Sequence, residues 1–240
     1  MQIEEKYDVI VVGGGHAGCE AAYSAATLGS KVLLISQNLE TIARMSCNPA
    51  MGGVAKGQIV REIDALGGLS GIISDKTAIQ FRMLNRSKGA AMWSPRTQND
   101  RWRFAEEWRL SLEAIPNLDF IQSTVDEVLL NGSEVRGVVL QSGQEISCRK
   151  VVLTSGTFLN GIMHIGTRQM NGGRSAEGTA RGITSCLQAF GFDLKEDWFK
   201  PHLEFRFPKI GSICKDNINL ELRGALEPWR VLGEENNPSG

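Results

Sequence analysis

Paired cysteines, a large net charge and long apolar runs are all missing from this sequence of 240 residues. The five cysteines, Cys19, Cys47, Cys148, Cys186 and Cys214, are scattered, with no CxxC and no paired spacing. That argues against a disulfide framework or a zinc site and fits reduced thiols in the cytoplasm. Formal net charge is −1, so any nucleic-acid affinity has to come from a local patch rather than from bulk charge. No apolar run is long enough to span a bilayer. The first residues, MQIEEKYD, are polar and acidic, unlike a signal peptide. The expectation is a cytoplasmic protein without membrane contact. No Ser-His-Asp arrangement, carboxylate pair or metal motif can be assigned from spacing, and there is no internal repeat or low-complexity tract. What remains is ordinary for a globular chain, with 42% hydrophobic and 22% charged residues. The length allows one large domain or two small ones.

Tyr7 to Val12 is a short run rich in valine and isoleucine, followed by Gly13-Gly14-Gly15 and a small-residue segment from Ala17 to Leu28. After Gly29 a second apolar run, Lys31 to Ile35, looks buried on both faces, as a parallel strand would be. Strand, glycine turn, helix and strand in about 30 residues is the βαβ pattern of a doubly wound sheet. Gln37 to Gly57 has no period and reads as a long functional loop. Ile59 to Leu66 reads as a helix closed by Gly67-Gly68. Asp75 to Arg101 is polar and basic, and Asp100 to Ala114 has helical spacing ended by Pro116. Strands are expected at Leu118–Ser123, Glu127–Leu130 and Val135–Gln141, with Asn131-Gly132 as a hairpin turn between the last two. Another buried strand, Val151–Thr154, ends near Gly156, and a last helix is expected between Gly178 and Ala189.

Gly13-x-Gly15-x-x-Gly18 carries most of the assignable chemistry. The first glycine makes the strand-to-helix turn, and the second lets the backbone approach a pyrophosphate. The third lets helix pack on strand, while the helix amino terminus offers amides to the anion. GxGxxG alone is a weak signal, but here strand and helix flank it at the expected distances. The acid that usually holds the adenosine ribose should fall near Ser36. The sequence there is Ile35-Ser36-Gln37-Asn38, with no carboxylate until Glu40. Neutral side chains can still hydrogen-bond a ribose. Val151 to Thr154 followed by Ser155-Gly156-Thr157 resembles the second glycine motif of two-domain flavoproteins, which argues for a flavin. The expected fold class is α/β, a Rossmann-like FAD/NAD(P)-binding domain with a parallel sheet and a small β-hairpin element.

The strings GGGHAGCEAA, MSCNPAMGGVAKGQIVREIDALGG, IQFRMLNRSKGAA, PRTQNDR and VVLTSGTFLNGIMHIG occur in that order. Together they resemble the MnmG (GidA) family of tRNA-modifying flavoproteins over about residues 7 to 193. The resemblance implies an FAD enzyme working with the GTPase MnmE. The pair places an aminomethyl or carboxymethylaminomethyl group on carbon five of the wobble uridine of certain tRNAs. In that family methylene-tetrahydrofolate supplies the methylene, NADH recharges the flavin, and the protein is a homodimer. The FAD phosphate loop maps to Gly13, Gly14, Gly15, His16, Ala17 and Gly18. Val125 maps to a backbone contact with the cofactor, with Ser36, Gly156 and Thr157 as further cofactor candidates. Cys47, in Ser46-Cys47-Asn48-Pro49, occupies a characteristic family cysteine and is the catalytic candidate; a buried inert thiol is the alternative. His16 either contacts cofactor or caps the helix.

Arg82, Arg86, Lys88, Arg96, Arg101 and Arg103 form a basic segment opposed in sequence only by Asp100. They are the RNA-binding candidates, against the alternatives of a solvated surface or an ion-pair network. Trp93 and Trp102 in that segment either stack on bases or fill a core. At Asp193 the resemblance ends. The family continues into a strand with a TGTPPR-like motif, whereas this chain reads Leu194-Lys195-Glu196-Asp197-Trp198-Phe199. Residues 194–240 resemble instead an uncharacterised bacterial family associated with transglutaminase-like proteins. The expectation is a chimeric or truncated reading frame: an incomplete FAD-binding domain over 1–193 and an unrelated tail. It would lack the family's NADH-binding insertion and MnmE-docking helices, and would not turn over as it stands. Alternative readings are a non-catalytic FAD- or RNA-binding fragment, a folate- and FAD-dependent tRNA methyltransferase relative, and a general NAD(P)H oxidoreductase. The SCNPAMGG and LNRSKG segments favour MnmG over the methyltransferase, and the basic segment is unexplained by the oxidoreductase.

Overall fold

The β-branched run Tyr7–Val12 forms the first strand, β1, and the glycine turn after it starts helix α1 at His16–Thr27. The computed structural model of the chain describes residues 7–46, 48–165, 167–173, 178–180 and 182–192. They fall into two compact units, one running to Ser155 and the other starting at Gly156. The boundary expected at residue 193 lies outside the described residues.

In the first unit β2 (Val32–Ser36) returns parallel to β1, with Val9 opposite Val32 and Val12 opposite Ile35. Two further strands join in parallel: β6 (Leu118–Gln122) beside β2, and β9 (Glu145–Leu153) beside β1. The hairpin expected at Asn131-Gly132 is present, joining β7 (Val125–Asn131) to β8 (Glu134–Leu140). β8 then pairs antiparallel with the start of β9, giving the order β6-β2-β1-β9-β8-β7. β9 therefore serves two sheets in one: residues 145–147 pair with the hairpin, and Cys148 onward pairs with β1. The parallel sheet and hairpin element are as the sequence predicts. Expecting this last strand to begin only at Val151 misses its first half.

One face of the sheet is covered by α1, by α3 (Ser70–Thr77) and by α4 (Arg101–Glu113). Val11, Val32 and Leu34 meet Cys19, Ala22, Ile73, Phe104, Trp108 and Leu112 there. Strand alternation sends Ile10, Leu33 and Ile35 to the opposite face, where they are also buried. Burial of both faces explains why β1 and β2 read as continuous apolar runs. α4 follows its expected bounds because Asp100 caps it, accepting from the Trp102 and Arg103 amides at 3.0 and 3.1 Å.

The stretch from Gln37 to Arg101 is more ordered than the polar sequence suggests. β3 (Ala50–Gly52), α2 (Lys56–Ala65), α3, β4 (Ala78–Leu84) and β5 (Ser94–Asn99) all lie in it. The strands form a separate antiparallel sheet in the order β3-β5-β4. A buried polar network holds it to α3. Asn99 donates to the Ser74 carbonyl at 2.7 Å and to Thr77 Oγ1 at 2.9 Å, and accepts from Thr97 Oγ1 at 2.8 Å. The amide of Asn99 also donates to the Pro49 carbonyl at 2.7 Å. Glu20 on α1 accepts from the Leu69 and Ser70 amides at 3.0 and 2.6 Å and so caps α3 from 50 residues away.

In the second unit β10 (Ile162–Ile165) and β11 (Arg168–Asn171) form a hairpin, and α5 spans Gly182–Ala189.

Candidate functional site

Gly13 takes φ +113°, and a side chain there would strike the Thr154 carbonyl oxygen. A side chain on Gly18 would overlap the Gly13 carbonyl oxygen, so α1 packs against the end of β1 only because that position is bare. Thr154, just past β9, closes the turn. Its hydroxyl lies 2.9 Å from the Val12 carbonyl and 3.1 Å from that of Gly13. Gly15 is different. It is the extended residue before α1, no side chain caps the helix, and an added Cβ would meet nothing within 4 Å. Ala17 beside it is exposed. The uncapped amides and positive end of α1 thus lie next to open space, which is what a pyrophosphate requires. The residues present fit a dinucleotide.

His16 binds this loop to the next one. Its Nε2–H donates to the Ala43 carbonyl at 3.0 Å, and its ring meets Phe104 edge-on at 5.5 Å between centroids. Ala43 in turn donates its amide to the Gly14 carbonyl at 2.8 Å. The imidazole braces the glycine loop from behind.

Ser36 ends β2 beside the loop, and a Cβ on Gly14 would come within 2.9 Å of its hydroxyl oxygen. That hydroxyl donates to the Asn38 carbonyl at 3.2 Å, leaving lone pairs able to accept from a ribose hydroxyl. Val125 is buried as a whole residue, main chain included. Beside its neighbour Thr124 lies an open cleft lined by Gln37, Gln122, Ser123, Thr124, Gln141 and Ser142. Gln37 and Gln122 to Thr124 sit at the carboxyl ends of the parallel strands β2 and β6, where doubly wound sheets bind ligands, and Gln141 and Ser142 follow the antiparallel β8. The sequence reading missed them; polar residues immediately after each strand were the available signal. Gly156 and Thr157 lie in the second unit. Gly156 has φ +55° with open space beside it, while the Thr157 hydroxyl donates to the Gly173 carbonyl at 3.0 Å.

Cys47, the catalytic candidate, lies outside the described residues. Cys19 and Cys148 are buried; loss of hydration pushes their thiols up to about 12 and about 11. They stay protonated and inert at neutral pH. No group of three or more His, Cys, Asp or Glu side chains that could hold a metal occurs among the described residues. Nor is any helix there long and apolar enough to cross a membrane.

The basic candidates gather on the small sheet and its edges. Arg82 is on β4, Arg86 and Lys88 are on the turn after it, Arg96 is on β5, and Arg101 and Arg103 open α4. Arg82, Arg86, Lys88 and Arg103 are exposed; Arg96 and Arg101 are half-buried. Trp93 does not fill a core: its indole N–H donates to the Arg86 carbonyl at 3.1 Å and fixes that turn. Trp102 is 74% exposed, with the Arg44 guanidinium 5.9 Å from its ring centre.

A parallel sheet in this order, with a glycine turn under an uncapped helix, defines a dinucleotide-binding domain of the doubly wound class. Comparison with known proteins takes this further. The profile of glucose inhibited division protein A (GidA) matches residues 8–197, and the chain belongs to that family. A Cytophaga hutchinsonii relative named tRNA uridine 5-carboxymethylaminomethyl modification enzyme MnmG is 66% identical over 188 residues. The match takes in 78% of this chain and 30% of that protein. The Flavobacterium johnsoniae protein of the same name is 63% identical over 189 residues, 79% of this chain and 30% of its own. The chain thus spans about 30% of the length of the curated relatives it matches. The crystal structure of Aquifex aeolicus GidA superposes with a TM-score of 0.77 at 45% identity, covering 80% of this chain and 32% of that one. A second family profile, described as "Putative amidoligase enzyme", matches residues 177–240. The two profiles overlap over 177–197, so the junction expected at Asp193 falls inside the overlap.

Proposed function

We propose that residues 8–197 are the FAD-binding core of a tRNA wobble-uridine modifying flavoprotein. The observation that carries this is the Gly13–Gly18 loop, whose open Gly15 and uncapped α1 suit a pyrophosphate, in a chain 66% identical to a relative named for that modification. FAD supplies redox chemistry when bound. The chain's own part is to bind its phosphates at Gly13, Gly14, Gly15 and Gly18, with His16 bracing the loop and Ser36 and the cleft near Val125 receiving the nucleoside. Gly156 and Thr157 are further cofactor candidates.

The reading extends to the complete machinery. tRNA meets the basic sheet through Arg82, Arg86, Lys88, Arg96, Arg101 and Arg103. Methylene-tetrahydrofolate provides the carbon, NADH the reducing equivalents, and the GTPase MnmE the partner. The protein works as a cytoplasmic homodimer, with Cys47 as its reactive thiol. A second reading, binding of FAD or RNA without turnover, is favoured by one observation: likeness to the relatives stops after 188 residues and another family profile takes over. The visible spectrum of the purified chain, recorded with added FAD, then NADH, then a tRNA transcript, tests both. A bound oxidised flavin that NADH bleaches supports the enzyme. A bound flavin indifferent to NADH supports the second reading, and absence of bound flavin contradicts both in their FAD form.

A further inference from the structure

β4 and β5 set two arginines side by side. Their antiparallel register puts Arg82 directly opposite Arg96, and such partners share one sheet face with Cβ atoms about 5 Å apart. Guanidinium groups do not lose their charge at accessible pH, so this pairing destabilises the sheet unless an anion lies between them. The ion pairs among the described residues, Lys76–Glu107, Arg109–Glu113, Arg136–Glu145 and Arg149–Asp8, involve neither arginine. The next pair on the same face is Gln80 opposite Gln98, which continues the row with amide donors. On the other flank β3 places Gly52 opposite Arg96, so no side chain covers it from that strand. A side chain at Gly52 would run into the Pro95 carbonyl, so the gap is built into the backbone.

We propose that Arg82 and Arg96 act as one unit, a clamp for a single phosphate of an RNA backbone. Two planar guanidinium forks match the oxygens of one phosphate, whose charge turns their mutual repulsion into attraction. The exposed Arg86 and Lys88, on the turn that follows β4, are placed for neighbouring phosphates. Assignment to RNA rests on the tRNA-modification reading above; the existence of a phosphate clamp does not.

The test uses the full chain with Arg82→Gln, Arg96→Gln and the double variant. Thermal midpoints are compared in chloride and in inorganic phosphate at matched ionic strength, and binding of a tRNA transcript is measured across salt. The wild-type midpoint should rise in phosphate relative to chloride by more than the general salting-out effect of phosphate, and each single substitution should remove that excess. In low-salt chloride the single variants should melt at or above the wild type, because repulsion has been relieved. Each should weaken tRNA binding about tenfold and lower the salt slope by about 0.7 to 0.9, with little further loss in the double variant. A phosphate response as large in the variants as in the wild type overturns the clamp, as does a chloride midpoint that falls with each substitution. If the excess phosphate response is lost while tRNA affinity is unchanged or absent throughout, the clamp stands and its assignment to RNA is overturned.

Discussion

His16 and Ala43 are joined by a 3.0 Å hydrogen bond from the imidazole to the carbonyl, and the Ala43 amide returns a 2.8 Å bond to Gly14. The glycine loop is therefore held on its rear side by a segment 27 residues further along the chain. His16→Ala removes one link of that brace. FAD affinity should fall about fivefold, the scale of one net hydrogen bond of about 1 kcal/mol. Flavin fluorescence titration measures it, and an unchanged affinity would show that the loop needs no support.

Gly15 and Gly18 should part company under the same substitution. Gly15→Ala places a Cβ in open space on an extended backbone, so the thermal midpoint should stay within a few degrees of wild type while FAD affinity is lost. Gly18→Ala drives a methyl into the Gly13 carbonyl and should lower the midpoint with or without cofactor. If Gly15→Ala binds FAD normally, the pyrophosphate does not approach that residue.

Asn99 is 1% exposed and satisfies Ser74, Thr77 and Thr97 at once. Asn99→Ala takes its donor from the Ser74 carbonyl and leaves Thr77 and Thr97 only their bonds to the Ile73 and Met51 carbonyls, and should cost about 2 to 4 kcal/mol. The shift of the urea midpoint reports it, and a change below about 1 kcal/mol would mean that water replaces the side chain.

The buried thiols predict how stability responds to base. Cys19 and Cys148 hold their protons in the folded chain up to about 12 and about 11, against an ordinary value of 9.0. Above pH 9 the unfolded chain releases those protons first. Stability contributed by the neutral thiols is complete below pH 9 and is lost as pH climbs through the folded values. The slope is about 1.4 kcal/mol per pH unit for each thiol. Urea unfolding between pH 8 and 10 should show a shallower decline in Cys19→Ala than in wild type; parallel declines would refute it.

The β1-α1-β2 unit was legible because both strands are buried on two faces and the glycines need their positions. α4 was legible from Asp100 before it and Pro116 beyond it. α3 was not, because its cap is Glu20, far away in sequence. Its Ser74 and Thr77 look solvent-facing, yet each bonds a carbonyl one turn back inside the core, at Ser70 and Ile73. β4 gave no alternation, since its first five residues are all exposed. β5 hid its buried positions behind polar residues, Thr97 and Asn99 on one face and Ser94 on the other, whose burial depends on partners that only the fold supplies. The cleft near Val125 is assembled from three separate strand ends, and the Arg82–Arg96 pairing exists only through strand register. No local pattern announces either one.

Titrating FAD into the purified chain, with binding followed by flavin fluorescence and folding by circular dichroism, is the most direct measurement of the cofactor site. Saturable binding at micromolar concentration or tighter, about −8 kcal/mol or better, is the predicted result. A folded chain that leaves FAD free at ten times that concentration would contradict it.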